Sequence, residues 1–289
     1  MRDISRRDFM RRTAGALAVA AAVPAGGETA PAPLTATTMR PLGETGVACT
    51  LLGMGTGVKA GGGHSALTRK GEQAALELLE YAYAQGLRYF DLSDSYGSHP
   101  LMKQVLQGPV DRDKVTLLTK TQSREPALIR ADIERFRKEI DTDRLDIVLL
   151  HCLTKSDWPE RLEGCLDVLA DAKAKGVIRA HGVSCHSLDA LKRAAETDWV
   201  DVILARINPF GLKMDGPPEQ VAPVLQKAHA TGKGVLGMKI VGEGQCKDKV
   251  AESLEYVMGL GCVDAMAIGF LAPGEVDSAI GHVRAICAA

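Results

Sequence analysis

Eight short apolar runs recur along the chain, and that recurrence limits what it can fold into more than any other feature. The runs are CTLLGMG (49–55), LRYFD (87–91), VTLLTK (115–120), DIVLLH (146–151), IRAHGVS (178–184), VDVILARI (200–207), GVLGMKI (234–240) and DAMAIG (264–269). Each is short, bounded by Gly or polar residues, and reads as a buried strand. Amphipathic stretches lie between them. Glu72–Ala84 sets Leu76, Leu79 and Tyr83 on one helical face, with Gly86 as its stop. Pro159–Lys175 does the same with Leu162, Leu166 and Leu169, closed by Gly176. The strands end near 55, 91, 120, 151, 184, 207, 239 and 268. Eight strand–helix units of roughly 30 residues predict an α/β fold, a (β/α)8 TIM barrel. A doubly wound open sheet is the rival arrangement. Gly43-Glu44-Thr45-Gly46, ahead of the first strand, predicts a short N-terminal hairpin.

Residues 1–37 differ from this body. Ser5-Arg6-Arg7-Asp8-Phe9-Met10-Arg11-Arg12 is basic, Thr13–Val23 is Ala-rich and apolar, and a small, Pro-rich stretch follows. That order is the layout of a secretory signal. The adjacent Arg6-Arg7 with Phe9-Met10 resembles the twin-arginine (Tat) export signal. The resemblance implies a partner in the Tat machinery and a periplasmic or envelope location. The division expected is thus 1–37, signal peptide and linker, and 38–289, barrel. The apolar stretch is too short to span a bilayer, which takes about 20 residues, so no stable membrane anchor is expected.

Charge and composition narrow the function. Lys and Arg number 35 against 36 Asp and Glu. A binder of nucleic acid relying on overall charge needs a basic excess, so none is expected. Twelve aromatics leave little for a base-stacking platform (five Phe, five Tyr and two Trp). The seven cysteines form no CxxC and no zinc-spaced cluster with His, so they read as small buried apolar residues and no metal site is expected.

In a barrel of this kind chemistry gathers where strands end. The residues there include Asp91, Lys120, His151, Ser184 and Lys239. Polar groups following apolar strands are costly unless paired or used. Tyr96 is the one tyrosine in a loop just past a strand end. His64, His99, His181, His186, His229 and His282 have no such placement and read as surface or supporting residues.

Tyr89-Phe90-Asp91-Leu92-Ser93-Asp94-Ser95-Tyr96-Gly97 resembles the aldo-keto reductase motif. In that motif an Asp closes the second barrel strand and a Tyr follows five residues later. Lys120 and His151 end the next two strands, as in that family. LGETGVACTLLGMGTG, GVS (182–184) and GMKIVGEG (237–244) are similar to further family segments. The resemblance covers about residues 38–285. It implies an oxidoreductase that interconverts a small-molecule carbonyl (aldehyde, ketone or sugar) and its alcohol. Tyr96 would be the general acid/base, Lys120 would lower its pKa, Asp91 would hold Lys120, and His151 would orient the carbonyl. The implied cofactor is NADP(H), with NAD(H) admitted, held by Gly55, Thr56, Ser184, Asn208, Met238, Lys239, Gly269 and Glu275. The loops 61–63 and 239–244 are expected to close over its pyrophosphate, Lys239 offering charge. Departures are visible. Cys185 and Leu204 stand where Asn and Gln are common, Ala279 replaces an Asn, and the usual basic residue for a 2′-phosphate is missing. The alternatives are an exported nicotinamide-binding module and a non-redox barrel lyase or isomerase.

Overall fold

In a computed structural model, which describes residues 34–289, the apolar runs are strands of one closed barrel. A small antiparallel hairpin comes first, β1 (Met39–Pro41) against β2 (Ala48–Thr50). The barrel strands are β3 (Leu52–Gly55), β4 (Tyr89–Asp91), β5 (Thr116–Thr121), β6 (Leu145–Leu153), β7 (Ile178–Cys185), β8 (Val202–Arg206), β9 (Gly234–Met238) and β10 (Ala265–Ile268). Every neighbouring pair is parallel, and β10 returns to pair with β3. The open-sheet rival is therefore excluded. The export-like segment, apart from its last residues, lies outside the described residues.

Each strand leads into a helix. These are α1 (Glu72–Ala84), α2 (His99–Gln107), α3 (Pro126–Ile140), α4 (Trp158–Arg161), α5 (Glu163–Ala174), α6 (Leu188–Glu196), α7 (Pro218–Ala230), α8 (Val250–Gly259) and α9 (Pro273–Ala288). Proline at the first turn starts α3, α7 and α9, where its fixed φ suits the helix and its missing N–H costs nothing. The Ser187 hydroxyl caps α6 by accepting from the Ala190 amide at 3.1 Å. The stretch expected as one helix from Pro159 to Lys175 is two, broken at Leu162, whose φ and ψ of −116° and 17° leave the helical range.

On α1 the buried face differs from the predicted one. Ala75, Leu78, Leu79 and Ala82 face the barrel. Leu76 and Tyr83 lie half-exposed at its flank, and the Arg88 guanidinium covers the Tyr83 ring. Small side chains let a helix lie close against a sheet, so two alanines share the buried face with Leu78 and Leu79. The barrel unit also starts a few residues before Thr38. Ala36 is buried, and its carbonyl accepts from the Leu52 amide at 2.9 Å.

Two apolar layers result. The larger fills the space between strands and helices. The smaller lies inside the barrel, where Leu118, Ile147, Leu149, Val202, Leu204 and Leu236 meet. Leu42, Val47 and Cys49 from the hairpin segment join this inner layer. Leu204, which occupies the place of a common family Gln, is thus a core residue at 0% exposure. Burying a Leu of this size contributes about 1.5–3 kcal/mol. Among the described residues no helix is long and apolar enough to cross a membrane.

Candidate active site

The strand ends that the sequence singled out converge at one mouth of the barrel. Asp91 closes β4 and Lys120 lies near the end of β5, one strand over. Lys120 is fully buried, and its ammonium donates to Asp91 Oδ1 and to the Leu92 carbonyl, the latter at 2.9 Å. Tyr96 ends a short 3-10 turn, Asp94–Tyr96, just beyond β4. Its ring lies so close to Gly57 that a Cβ there would come within 2.4 Å of it, so only glycine lets the β3 loop pass. The Lys120 ammonium sits 4.9 Å from the centroid of that ring. Tyr96 Oη and His151 Nε2 are 3.4 Å apart, and the two rings meet edge to face. Asp91, Lys120, Tyr96 and His151 therefore form one cluster.

Electrostatics gives the cluster its protonation states. The expectation that Lys120 brings the Tyr96 phenol down is not met. Burial, and then the Asp91 charge, push the Tyr96 pKa well above its ordinary value. The physical reason is that burial disfavours the charged phenolate and the neighbouring Asp91 carboxylate adds to that. Burial also holds the Lys120 ammonium below its usual range, against the pull of Asp91. His151 is driven down to about 2 by burial, then by Lys120, His186, Arg124 and Arg206. Its imidazole is neutral at any working pH, and its Nδ1 is buried with no partner. The cluster thus offers a protonated phenol beside a neutral imidazole.

A cavity of about 550 Å³ opens against Asp91 and Tyr96, between the segments that follow β3, β9 and β10. Gly55, Met238, Lys239, Gly269 and Glu275, five of the eight residues expected to hold a cofactor, are among those that line it. A Cβ on Gly269 would fall 1.9 Å from a Val58 methyl, so this wall admits only glycine. Glu275 stands in the first turn of α9 and accepts from the Leu271 amide at 2.6 Å. Lys239 is not a free charge. It has a positive φ of 58° and pairs with Glu243 at 2.7 Å. The Lys59 amide reaches the same Glu243 oxygen at 3.4 Å, which ties the segment after β9 to the one after β3.

The other three predicted cofactor residues are placed differently. Thr56 is buried, and its hydroxyl donates to the Asp91 carbonyl at 2.8 Å, fixing the end of β4. Asn208 spends its whole amide on the chain: Nδ2 donates to the Leu212 and Lys239 carbonyls, and Oδ1 accepts from the Phe210 and Leu212 amides. Ser184 is fully buried with an unpartnered hydroxyl at the end of β7. A buried hydroxyl with no partner costs free energy unless a ligand meets it.

Several histidines differ from the sequence reading. His99 is 1% exposed, held between Thr119 Oγ1 and Glu139 Oε2, each at 2.7 Å. His181 is buried and stacks on Trp199 with ring centroids 4.2 Å apart. His186 belongs to the mouth, its ring centroid 6.0 Å from that of His151. Arg206 donates to His186 Nδ1 and, at 3.0 Å, to Asp215. Cys152 follows His151 with φ of 60°, its sulfur 3.5 Å from His186 Nε2. His151, Cys152 and His186 bring three metal-ligating atoms within 4.8 Å of one another, a grouping that the sequence reading did not foresee. Alternation along β8 was the available signal: with Leu204 inward, Arg206 is inward too.

The chain belongs to the aldo/keto reductase family, whose model matches residues 51–258. D-threo-aldose 1-dehydrogenase of a Pseudomonas species is 27% identical over 166 residues, covering 46% of this chain and 50% of that protein. Probable aldo-keto reductase 1 of Glycine max is 27% identical over 138 residues, covering 43% and 38%. The chain spans about half the length of the curated relatives it matches. Among solved structures, the Pseudomonas aeruginosa aldo-keto reductase PA4992 superposes with a TM-score of 0.73 at 27% identity, over 88% of this chain and 98% of that one. The holo form of aldo-keto reductase AKR11C1 from Bacillus halodurans shares the fold, with a TM-score of 0.69 at 20% identity, over 86% and 91%.

Proposed function

We propose that the protein is an exported, nicotinamide-dinucleotide-dependent reductase of small carbonyl compounds, with Tyr96 as the acid. The observation that carries this reading is the Tyr96 hydroxyl, 3.4 Å from His151 Nε2, at the edge of a cavity lined by Gly55, Gly57 and Gly269.

The residues present fit such a cofactor. Ser184 brings a buried hydroxyl in need of a partner, which suits a carboxamide. Gly55 and Gly269 line the cavity without side chains, and Met238 supplies an apolar surface. The first turn of α9 offers backbone amides to phosphate oxygens, with Glu275 accepting from hydroxyls. When bound, the dinucleotide supplies the hydride, which no side chain can. NADP(H) is the expected form and NAD(H) the other. Lys59 and Lys247 are the lining cations without a carboxylate within 4 Å among the described residues.

The chain's own work is to place a proton. His151 and Tyr96 each direct a polar atom to one point at the barrel mouth, where a carbonyl oxygen gathers charge during reduction. Tyr96 then donates its hydroxyl proton to that oxygen. The Lys120 ammonium, held by Asp91 and 4.9 Å from the centroid of the ring, backs Tyr96 from behind. In the oxidative direction Tyr96 returns as the base. The twin-arginine-like segment around Arg6-Arg7 supports export of this folded barrel to the periplasm or envelope.

Titration of the purified protein with NADPH and NADH, followed by turnover of an aldehyde, ketone and sugar panel, tests the reading. Saturable binding with reduction is expected. Binding without turnover would favour a nicotinamide-binding module. Turnover without cofactor would favour a lyase or isomerase.

A further inference from the structure

Arg124, Arg206 and His186 gather on the side of the mouth beyond His151. Arg206 has no acceptor atom, so the His186 Nδ1 it touches must be the acceptor, and His186 Nε2 carries the proton. That N–H faces the Cys152 sulfur at 3.5 Å. Arg124, from the segment after β5, donates to the carbonyls of Ser123 and His151 and is half-buried. Two carbonyls leave most of its five N–H groups free and fix its position.

The carboxylates nearby are taken. Asp91 pairs with Lys120, Asp215 with Arg206, and Glu243 with Lys239. Arg124 alone among these cations has no carboxylate within 4 Å among the described residues. Partly burying a cation without a counter-ion is costly, so the arrangement calls for a negative ligand.

His151, Cys152 and His186 would, by ligand type, suit a divalent transition metal. Two observations weigh against that. Arg206 occupies the His186 nitrogen that a bound metal needs protonated and paired with an acceptor. A dication there would also face Arg124, Arg206 and Lys120, the charges that depress His151.

We propose that the carbonyl compound reduced at this site carries an anionic oxo group, a carboxylate or phosphate, received by Arg124 with His186 Nε2–H beside it. The inference rests on the reductase reading above and adds the substrate class. Arg124 would offer two parallel N–H donors, the geometry that suits a carboxylate or phosphate, while the carbonyl end lies at Tyr96. The group acts in binding, so its contribution appears in KM.

The test compares matched substrates on the full chain with cofactor: butanal against 4-oxobutanoate, and glyceraldehyde against glyceraldehyde 3-phosphate. In the wild type the anionic member should be favoured at least about tenfold in kcat/KM, since a charge-assisted hydrogen bond is stronger than a neutral one. Which pair shows it separates carboxylate from phosphate. Arg124→Gln should lower the anionic-to-neutral ratio by about tenfold through KM, and Arg124→Lys should restore part of it. Equal use of both members by the wild type, or an Arg124→Gln ratio matching it, would overturn the proposal. Calorimetric titration with unreactive succinate and inorganic phosphate keeps the two readings apart. No reduction of any aldehyde, with succinate or phosphate binding that weakens in Arg124→Gln, would defeat the reductase reading and keep the anion site. No binding of either would defeat the anion site.

Discussion

The hydroxyl of Tyr96 and Nε2 of His151 stand 3.4 Å apart at the barrel mouth, one raised in pKa and the other lowered to about 2. The same burial causes both shifts, because it disfavours phenolate and imidazolium alike. The pair therefore enters the reaction as neutral phenol and neutral imidazole.

Tyr96→Phe keeps the ring against Gly57 and removes the proton. Carbonyl reduction should fall by about 10²–10⁴ in kcat, the usual contribution of a general acid. Dinucleotide affinity should change little, as read by cofactor fluorescence. Wild-type turnover in the variant would take Tyr96 out of the chemistry.

The pH dependence has a definite sign. A phenol with raised pKa keeps its proton to higher pH, so reduction should stay flat from about pH 6 through the ordinary phenol range near 10. Oxidation of the alcohol needs the phenolate and should rise with pH over the same range. Because His151 titrates near 2, it should add no acid limb above about pH 5. A reduction profile falling through pH 7 would contradict these assignments.

Much of this architecture was legible in the sequence. Strand-length apolar runs with small or polar boundaries gave the barrel, and polar residues at their ends gave Asp91, Lys120 and His151. Tyr96 followed from its offset past Asp91. Arg124, Cys152 and His186 were not legible. Cys152 depends on an irregularity of β6 between Leu150 and Leu153, and a positive φ at a non-glycine residue leaves no mark in composition. Asn208 was legible as polar, yet its four bonds to the surrounding loop are set by backbone that closes only in the fold.

The Asp91–Lys120 pair is buried, so breaking it from one side strands a charge. Asp91→Asn or Lys120→Met should each cost about 3–5 kcal/mol, and the double variant less than their sum. Denaturant melts of the four proteins measure this. Additive losses would mean that the two side chains act independently.

Acid should unfold the protein early. His151, His186 and His181 are driven by burial to about 2, 3 and 4, below the 6.5 of an unfolded histidine. The unfolded state then binds more protons below pH 6.5, so stability present above that value is lost as pH falls toward the folded pKa values. Each group contributes about 1.4 kcal/mol per pH unit within its window. Thermal melts from pH 7.5 to 4.5 should show a steep decline that His181→Asn makes shallower. An unchanged melting temperature across that range would show that these histidines are not buried neutral.

Reduction of a carbonyl at Tyr96 and His151 requires hydride from a dinucleotide in the adjoining cavity. Dinucleotide carrying deuterium at the transferable C4 position, incubated with the purified protein and an aldehyde panel, tests it most directly by mass spectrometry of the alcohol. One deuterium is expected on the former carbonyl carbon, with loss of that product by at least about a hundredfold in Tyr96→Phe. Unlabelled alcohol, or labelled alcohol formed equally well by Tyr96→Phe, would contradict it.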